Sequence, residues 1–311
     1  MSTQFKLPVG PSGIPLLGFG TGTKYFKPSD VKELNQSLVN ILDTAAHNGF
    51  IHIDTAEGYG ISAEVSTFLK NLKDIKRSQL FITDKFNLSR RIGIGANDDA
   101  SPYAHLKNTL DNVFHTDYVD LYLLHAPFIT KDKFGFTLEE AWQSVEKLYE
   151  EGLAKRIGVS NFAVDDLKRI LKVAKYPPQV NQIEFNVFLQ NQTPDIVEFC
   201  KKNNITVEAY SPLAPLTRGD LTTGVGKKLD LKLDELEKKY KKTKTQLLLR
   251  WVIQRGIVPI TTTSKVSRLD EWKGIFDFTL SETDEEDITK IGKEYKPQFR
   301  LYWKPFYDKY N

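Results

Sequence analysis

Residues 51–60 read IHIDTAEGYG, and this stretch decides the fold. It opens on a short β-rich run, residues 51–55, and continues into a glycine-containing loop that carries Tyr59. A longer segment with helical spacing follows. A strand, a polar loop and then a helix make up the repeating unit of a parallel α/β fold.

Seven further β-rich runs share this arrangement, and segments with helical spacing separate them. These runs are residues 16–20, 80–85, 119–125, 157–160, 180–185, 207–210 and 257–261. Helix starts are marked by the capping box of Thr137 with Glu140 and by Ser281 with Asp284. Because no Pro-, Gly- or Ser-rich linker divides the chain, we predict one domain, residues 1–311. Its fold class is α/β, a (β/α)8 TIM barrel.

The alternating glycines Gly18, Gly20 and Gly22 do not form the fingerprint of a dinucleotide-binding open sheet. No glycine stands three residues after Gly22, and residues 23–25 do not open a helix. This pattern favours the barrel over a doubly wound sheet. A nucleotide would have to be held in another way.

The composition is typical of a soluble globular protein, with 40% hydrophobic residues, 27% charged residues and a formal net charge of +3. The densest basic run, residues 238–244, is interpreted as a solvated helix face, so we predict no nucleic-acid partner. The single cysteine, Cys200, indicates a reducing compartment.

No N-terminal apolar run resembles a signal peptide, and no stretch reaches the ~18 apolar residues of a membrane helix. We therefore expect a cytoplasmic protein without a membrane partner. No set of His, Cys and carboxylate residues has the spacing of metal ligands, so no metal site is predicted.

Polar side chains stand at the ends of several predicted strands, and these ends form the active face of a barrel. Asp54, Lys85 and His125 close the second, third and fourth runs. Taken singly, such residues are more often caps, packing residues or structural hydrogen-bonding groups. Together they suggest proton transfer, because Lys85, held by Asp54, would lower the pKa of Tyr59 from ~10. A neutral His125 would orient a carbonyl group, as carbonyl reduction requires when hydride reaches carbon and a proton reaches oxygen.

Longer segments carry a family resemblance. They are DTAEGY (54–59), ITDK (82–85), DYVDLYLLHAP (117–127), KRIGVSNF (155–162), QVNQIEFN (179–186), VEAYSPLAP (207–215) and residues 268–271. Over nearly its whole length the chain resembles an aldo-keto reductase. HAPF (125–128), NQIEFNVFLQNQ (181–192), EAYSPLAPL (208–216) and RLYWKPFY (300–307) resemble the yeast branch that reduces α-keto amides and conjugated polyketones.

The resemblance implies an NADPH-dependent reductase of activated ketones and aldehydes, such as α-keto amides, α-keto esters and diones. Asp54, Tyr59, Lys85 and His125 match the catalytic tetrad of the family, with Tyr59 as the proton donor. The implied cofactor-binding residues are Thr21, Gly22, Thr23, Ser160, Asn161, Gln182, Tyr210, Ser211, Leu213, Thr262, Thr263, Ser264, Lys265, Arg268 and Glu271. The residues at 160, 161 and 182 would hold the nicotinamide carboxamide, and Tyr210 would stack on the ring. Positions 211 and 213 would contact the pyrophosphate, and 268 and 271 the adenosine end.

Four positions depart from the family pattern. Threonines occupy 262 and 263, where the family often has Lys-Ser, so Lys265 is expected to supply the missing charge. Trp272 stands where Asn is common, and stacking on the adenine is the expected contact. Ala126 follows His125 where many members have Trp, which predicts a wider substrate pocket. The altered motif around residue 22 leaves open whether Thr21 or Thr23 contacts the cofactor.

The tail comprises residues 295–311, and its segment 297–311 contains six aromatic residues, which would be costly to leave in water. Two arrangements are open: the tail packs on the outside of the barrel, or it folds over the mouth and forms a pocket wall. The resemblance implies the second. The substrate-binding candidates are Tyr25, Ala126, Phe128, Tyr302 and Trp303.

Two other functions are open at this point. The chain could be an NADP(H)-binding regulatory or redox-sensor subunit with little turnover, which a broken tetrad would favour. It could also be an isomerase or aldolase in which Lys85 forms a Schiff base. For the reductase we expect a small-molecule carbonyl substrate and a monomer.

Overall fold

The structure is a computed structural model and describes residues 5–28, 31–86 and 101–311. The strands are β1 (Gly18–Gly20), β2 (His52–Asp54), β3 (Phe81–Phe86), β4 (Leu121–Leu124), β5 (Ile157–Ser160), β6 (Val180–Glu184), β7 (Thr206–Tyr210) and β8 (Val258–Thr261). All are parallel and follow one another around a closed barrel, in which β1 pairs with both β2 and β8. The predicted TIM barrel is confirmed.

Helices follow the strands around the barrel. Those described are α1 (Gln36–His47), α2 (Ser62–Asn71), α3 (Pro102–Thr109), α4 (Lys131–Phe134), α5 (Leu138–Glu150), α6 (Val164–Leu171), α7 (Ile196–Lys202), α8 (Ala214–Thr217), α9 (Gly224–Tyr240), α10 (Lys244–Gln254), α11 (Ser267–Lys273), α12 (Glu282–Lys293) and α13 (Lys304–Tyr307). The capping box of Thr137 with Glu140 starts α5, and Ser281 caps α12. In the described ranges, none of the helices is long and apolar enough to cross a membrane.

Side-chain alternation gives the barrel interior an apolar end and a polar end. Residues two apart in a strand point to the same face. Near the strand starts, Phe81 and Val180 pack in one apolar cluster with Ile14, which precedes β1. The same alternation places Gln182 two residues after Val180 and Lys85 four residues after Phe81. The apolar end thus supports polar side chains at the carboxyl ends of the strands.

Trp272 belongs to the core outside the barrel sheet. Its side chain is only 2% exposed, and its ring meets those of Phe19 and Phe50 edge-on at centroid distances of 5.9 and 5.7 Å. The expected stacking of Trp272 on an adenine is therefore wrong, because both neighbours hold the indole inside the protein.

The tail folds over the barrel mouth. The buried carboxylate of Glu184, at the end of β6, accepts the backbone N–H groups of Leu301 (2.7 Å) and Tyr302 (3.1 Å). Further along, the Tyr307 hydroxyl donates to the backbone oxygen of Asn161. These contacts confirm the second of the two predicted tail arrangements.

Candidate active site

A cavity of about 460 Å³ opens at the carboxyl ends of the strands, within the size range of small-molecule sites. The loop after β7 and the tail form part of its wall. Asp54, Tyr59 and His125 line the cavity, and Lys85 is buried against the first two. The structure therefore brings the four predicted catalytic residues together.

Lys85 lies between the Tyr59 hydroxyl and the carboxylate of Asp54. Its Nζ atom lies 2.8 Å from each carboxylate oxygen of Asp54 and 3.3 Å from the Tyr59 hydroxyl. It also donates to the backbone oxygen of Thr55 at 2.9 Å. The side chains of Lys85 and Asp54 are 0% and 3% exposed. The ion pair thus holds an ammonium beside the phenol in a water-excluded position.

The charge on Lys85 survives burial because of Asp54. Burial is the largest single influence and lowers the pKa of Lys85, but the charges of Asp54 and Tyr59 and the hydrogen bonds to both together raise that pKa above its ordinary value. Burial raises the pKa of Tyr59, and the Lys85 charge offsets this only in part. The expected net lowering of the Tyr59 pKa is therefore wrong for the chain alone. Tyr59 keeps its proton at neutral pH, and Lys85 reduces the cost of releasing it.

His125 is neutral at physiological pH. Burial, and secondarily the charge of Lys85, lower the pKa of His125 to about 3. Its Nδ1 atom is buried without a hydrogen-bond partner in the described part of the chain. The imidazole lies edge-on to the ring of Tyr59, with centroids 5.7 Å apart. A neutral imidazole carries one N–H, so it can donate one hydrogen bond to a carbonyl oxygen.

Asn161 is the centre of a hydrogen-bond network at the mouth. Its Nδ2 atom donates to the backbone oxygen of His125 (2.9 Å) and to the Ser160 hydroxyl (3.1 Å). Its Oδ1 atom accepts from the Tyr210 hydroxyl (2.7 Å) and from Nε2 of Gln192 (2.9 Å). These partners fix the orientation of the Asn161 amide before any ligand binds.

Three residues of the mouth have a left-handed backbone. The φ angles are 62° at Asn161, 55° at Ser211 and 56° at Trp303. Serine and tryptophan rarely adopt this conformation, which costs of order 1 kcal/mol per residue relative to the right-handed region. Such strain persists where the surrounding structure determines it, and it is typical of functional sites.

The predicted cofactor-binding residues divide into two groups. Those that line the cavity are Gly22, Thr23, Asn161, Gln182, Tyr210, Ser211, Leu213 and Thr262. Those that lie outside its wall are Thr21, Ser160, Thr263, Ser264, Lys265, Arg268 and Glu271. Thr21 is buried, and its hydroxyl donates to the backbone oxygen of Asp54 at 2.8 Å. Thr23 is therefore the threonine of this pair that faces the cavity.

The loop after β8 and helix α11 hold the residues predicted to bind the adenosine end. The Thr263 hydroxyl accepts the backbone N–H of Lys265 at 2.9 Å, and the Lys265 side chain is exposed. Arg268 contacts Glu271 at 3.2 Å and the Thr245 hydroxyl at 3.1 Å. Two cations are thus presented on one short segment.

Two of the five substrate-binding candidates line the cavity, and the other three do not. Tyr302 and Trp303 line it. Tyr25 does not, because it is buried with its hydroxyl donating to the backbone oxygen of Thr263 at 2.8 Å. Ala126 is fully buried and does not line the cavity, so the expected widening of the pocket at this position is not seen. Phe128 packs against the tail, with its ring 5.5 Å from that of Trp303.

The sequence patterns did not identify several residues of the site. Arg218 and Leu301 line the cavity, and Glu208 lies buried behind Gln182. For Glu208 a signal existed, since it stands two residues before Tyr210 in β7 and must share its face. For Arg218 we find no comparable signal, because it lies in the loop after β7.

Comparisons with known proteins identify the family of the chain. The Aldo/keto reductase family model matches residues 16–293, so the chain belongs to the aldo/keto reductase family. The NADPH-dependent alpha-keto amide reductase of Saccharomyces cerevisiae is 45% identical over 294 residues, covering 94% of this chain and 91% of that protein.

A second relative and a solved structure extend the comparison. The NAD/NADP-dependent indole-3-acetaldehyde reductase of Schizosaccharomyces pombe is 39% identical over 287 residues, covering 92% of this chain and 94% of that protein. An aldo-keto reductase of Bombyx mori, solved in complex with NADP, superposes with a TM-score of 0.79 at 28% identity and covers 98% of both chains.

Proposed function

We propose that this protein reduces activated ketones and aldehydes with NADPH, and that Tyr59 donates the proton. One observation carries the proposal: Nζ of Lys85 lies 2.8 Å from both oxygens of Asp54 and 3.3 Å from the Tyr59 hydroxyl, at the wall of the cavity. A chain that only bound the nucleotide would not need a buried ammonium aimed at a phenol.

The residues of the cavity fit a nicotinamide dinucleotide. The Thr262 hydroxyl is buried without a hydrogen-bond partner in the described ranges, although the residue lines the cavity. At Gly22 an added Cβ would lie 2.9 Å from the Tyr59 ring, so the missing side chain leaves room there. Gln182 also lines the cavity, and its side-chain nitrogen is already bonded to Asp54 and Glu208.

We assign the cofactor contacts as the resemblance implies. Ser160, Asn161 and Gln182 would hold the carboxamide, and Tyr210 would lie against the nicotinamide ring. The remaining contacts would come from Gly22, Thr23, Ser211, Leu213 and the segment 262–271. NADPH, when bound, supplies the two electrons that reduce the carbonyl carbon.

The protein's own groups handle the proton. The N–H of neutral His125 would hold the substrate carbonyl oxygen near the Tyr59 hydroxyl. Tyr59 then gives its proton to that oxygen, and the adjacent ammonium of Lys85 stabilises the phenolate that forms. Asp54 keeps Lys85 charged and in place. The buried position of the ion pair makes this stabilisation stronger than it would be in water.

The substrate proposal rests on the cavity wall and on the relatives. Leu301, Tyr302 and Trp303 of the tail line the same cavity as His125. An α-keto amide, α-keto ester or dione would offer a reactive carbonyl and a bulky second group. The name of the Saccharomyces cerevisiae relative supports this class.

Oxidation of NADPH by the purified protein with a panel of α-keto amides, α-keto esters and diones tests the proposal. We expect turnover with several of them and a lower rate with NADH. NADPH binding without turnover of any panel member would refute the reductase and favour the regulatory subunit. Covalent trapping of a substrate by borohydride would instead favour a Schiff base on Lys85.

A further inference from the structure

Gln182 presents one fixed side of its amide to the cavity. Its Nε2 atom donates to Oδ1 of Asp54 and to Oε2 of Glu208, each at 2.8 Å. Only the nitrogen of a side-chain amide can donate, and both partners are carboxyl groups. The two amide protons therefore point into the barrel, and the carbonyl oxygen Oε1 is left for the cavity.

Glu208 is a buried carboxyl without a part in the proton transfer described above. It is 0% exposed and stands directly beside Gln182 in the register of β6 and β7. Burial, and secondarily the charge of Asp54, raise the pKa of Glu208 to about 8. The Oε2 atom of Glu208 accepts the hydrogen bond from Nε2 of Gln182.

Burial of the Glu208 carboxyl is energetically unfavourable, and only one of its two oxygens has a hydrogen-bond partner in the described ranges. Its other oxygen, Oε1, has no hydrogen-bond partner in the described ranges and lies 3.9 Å from Nε2 of His52. Burial of such a polar group is unfavourable. The contact with Gln182 is its one described side-chain hydrogen bond, so Gln182 is the polar group that Glu208 holds directly.

We propose that Glu208 is a positioning residue that, together with Asp54, locks the Gln182 amide with its oxygen toward the cavity. Any ligand group that faces Gln182 must then be a hydrogen-bond donor. This inference rests on the proposed function, in which the nicotinamide carboxamide faces Gln182. A carboxamide NH2 satisfies the requirement, whereas the carboxylate of a nicotinic acid dinucleotide would place its oxygens against another acceptor.

The consequence is selection between two cofactor forms that differ by one group. NADP+ should bind more tightly than its nicotinic acid analogue by about tenfold or more, because an acceptor facing a carboxylate is left unsatisfied. The adenosine and pyrophosphate parts of the two dinucleotides are identical. The ratio of their dissociation constants therefore isolates the carboxamide position.

Calorimetric titration of both dinucleotides into the wild type and two Glu208 variants tests the inference. Glu208→Leu removes the acceptor in a similar volume, and the affinity ratio should fall about threefold to tenfold as the amide gains freedom to flip. Glu208→Gln is the matched control, because its side-chain carbonyl can accept the same bond and should keep the ratio within about twofold. If Glu208→Leu does not fold, Glu208→Ala replaces it with the same expected loss.

The outcomes separate this inference from the proposed function. Failure of the wild type to bind NADP+ would overturn the proposed function itself. Equal wild-type affinities for the two dinucleotides, with NADP+ bound, would overturn the locked amide alone. An unchanged ratio in the leucine or alanine variant would show that Asp54 suffices and that Glu208 does not position Gln182.

Discussion

Replacing Lys85 with methionine should destabilise the fold as well as stop proton transfer. The side chain is fully buried, its partner Asp54 is 3% exposed, and both carboxylate oxygens lie 2.8 Å from Nζ. This is a buried pair, for which removal of one partner costs about 3–5 kcal/mol, and not a surface pair worth about 0–1 kcal/mol. The backbone oxygen of Thr55 also loses its donor, which favours the upper part of that range.

The double variant Asp54→Asn/Lys85→Met is the matched control. It leaves no uncompensated charge, so it should recover part of the free energy of unfolding lost in Lys85→Met, by about 1 kcal/mol or more. It should remain inactive, because the phenol still lacks the ammonium. Urea unfolding followed by circular dichroism measures the stabilities, and NADPH oxidation measures the rates. A Lys85→Met protein destabilised by less than about 1 kcal/mol would refute the buried-pair argument.

The remaining predictions concern the tail, the cofactor and the thiol. Glu184→Leu removes the acceptor of two tail amides, so steady-state kinetics should show KM for an activated ketone rising about fivefold or more, with NADPH affinity little changed; equal shifts in both would contradict the tail's role. The double variant Lys265→Ala/Arg268→Ala should lose most of the preference for NADPH over NADH, because two cations suit a 2′-phosphate; an unchanged ratio of kcat/KM values would place that phosphate elsewhere. Cys200 is buried and its pKa is raised to about 12 by burial, so a thiol reagent should label it only after unfolding, and rapid labelling of the native protein would contradict this.

The barrel and the catalytic cluster could be predicted because local patterns determine them. The β-rich run at residues 80–85 became β3 (Phe81–Phe86), one residue displaced, and its inward alternation alone places Lys85 at the strand end. The order of the strands then follows from the rules of parallel connections. Asp54 and Lys85 therefore had to meet on neighbouring strands.

Long-range contacts and competing forces could not be predicted in this way. The bond between Glu184 and the amide of Leu301 joins residues 117 apart, and no local pattern encodes it. The pKa of Tyr59 depends on whether burial or Lys85 dominates, and only the degree of burial decides this. Tyr25 was expected in the pocket, but its hydroxyl reaches the loop after β8 instead.

Trp272 is a different case, because the sequence contained the correct signal. It follows Leu269 by three residues in α11, and both are buried on the same side of the helix. Helical spacing therefore favours a core position for Trp272 over a contact with the adenine.

The rate of ketone reduction by Tyr59→Phe tests the central claim most directly. The variant keeps the aromatic ring beside His125 and loses only the hydroxyl, which lies 3.3 Å from Lys85. We expect turnover of an activated ketone to fall by about 10² to 10⁴, the range for loss of a general acid. NADPH affinity, measured by titration, should barely change. Near-normal turnover in this variant would contradict the assignment of Tyr59 as the proton donor.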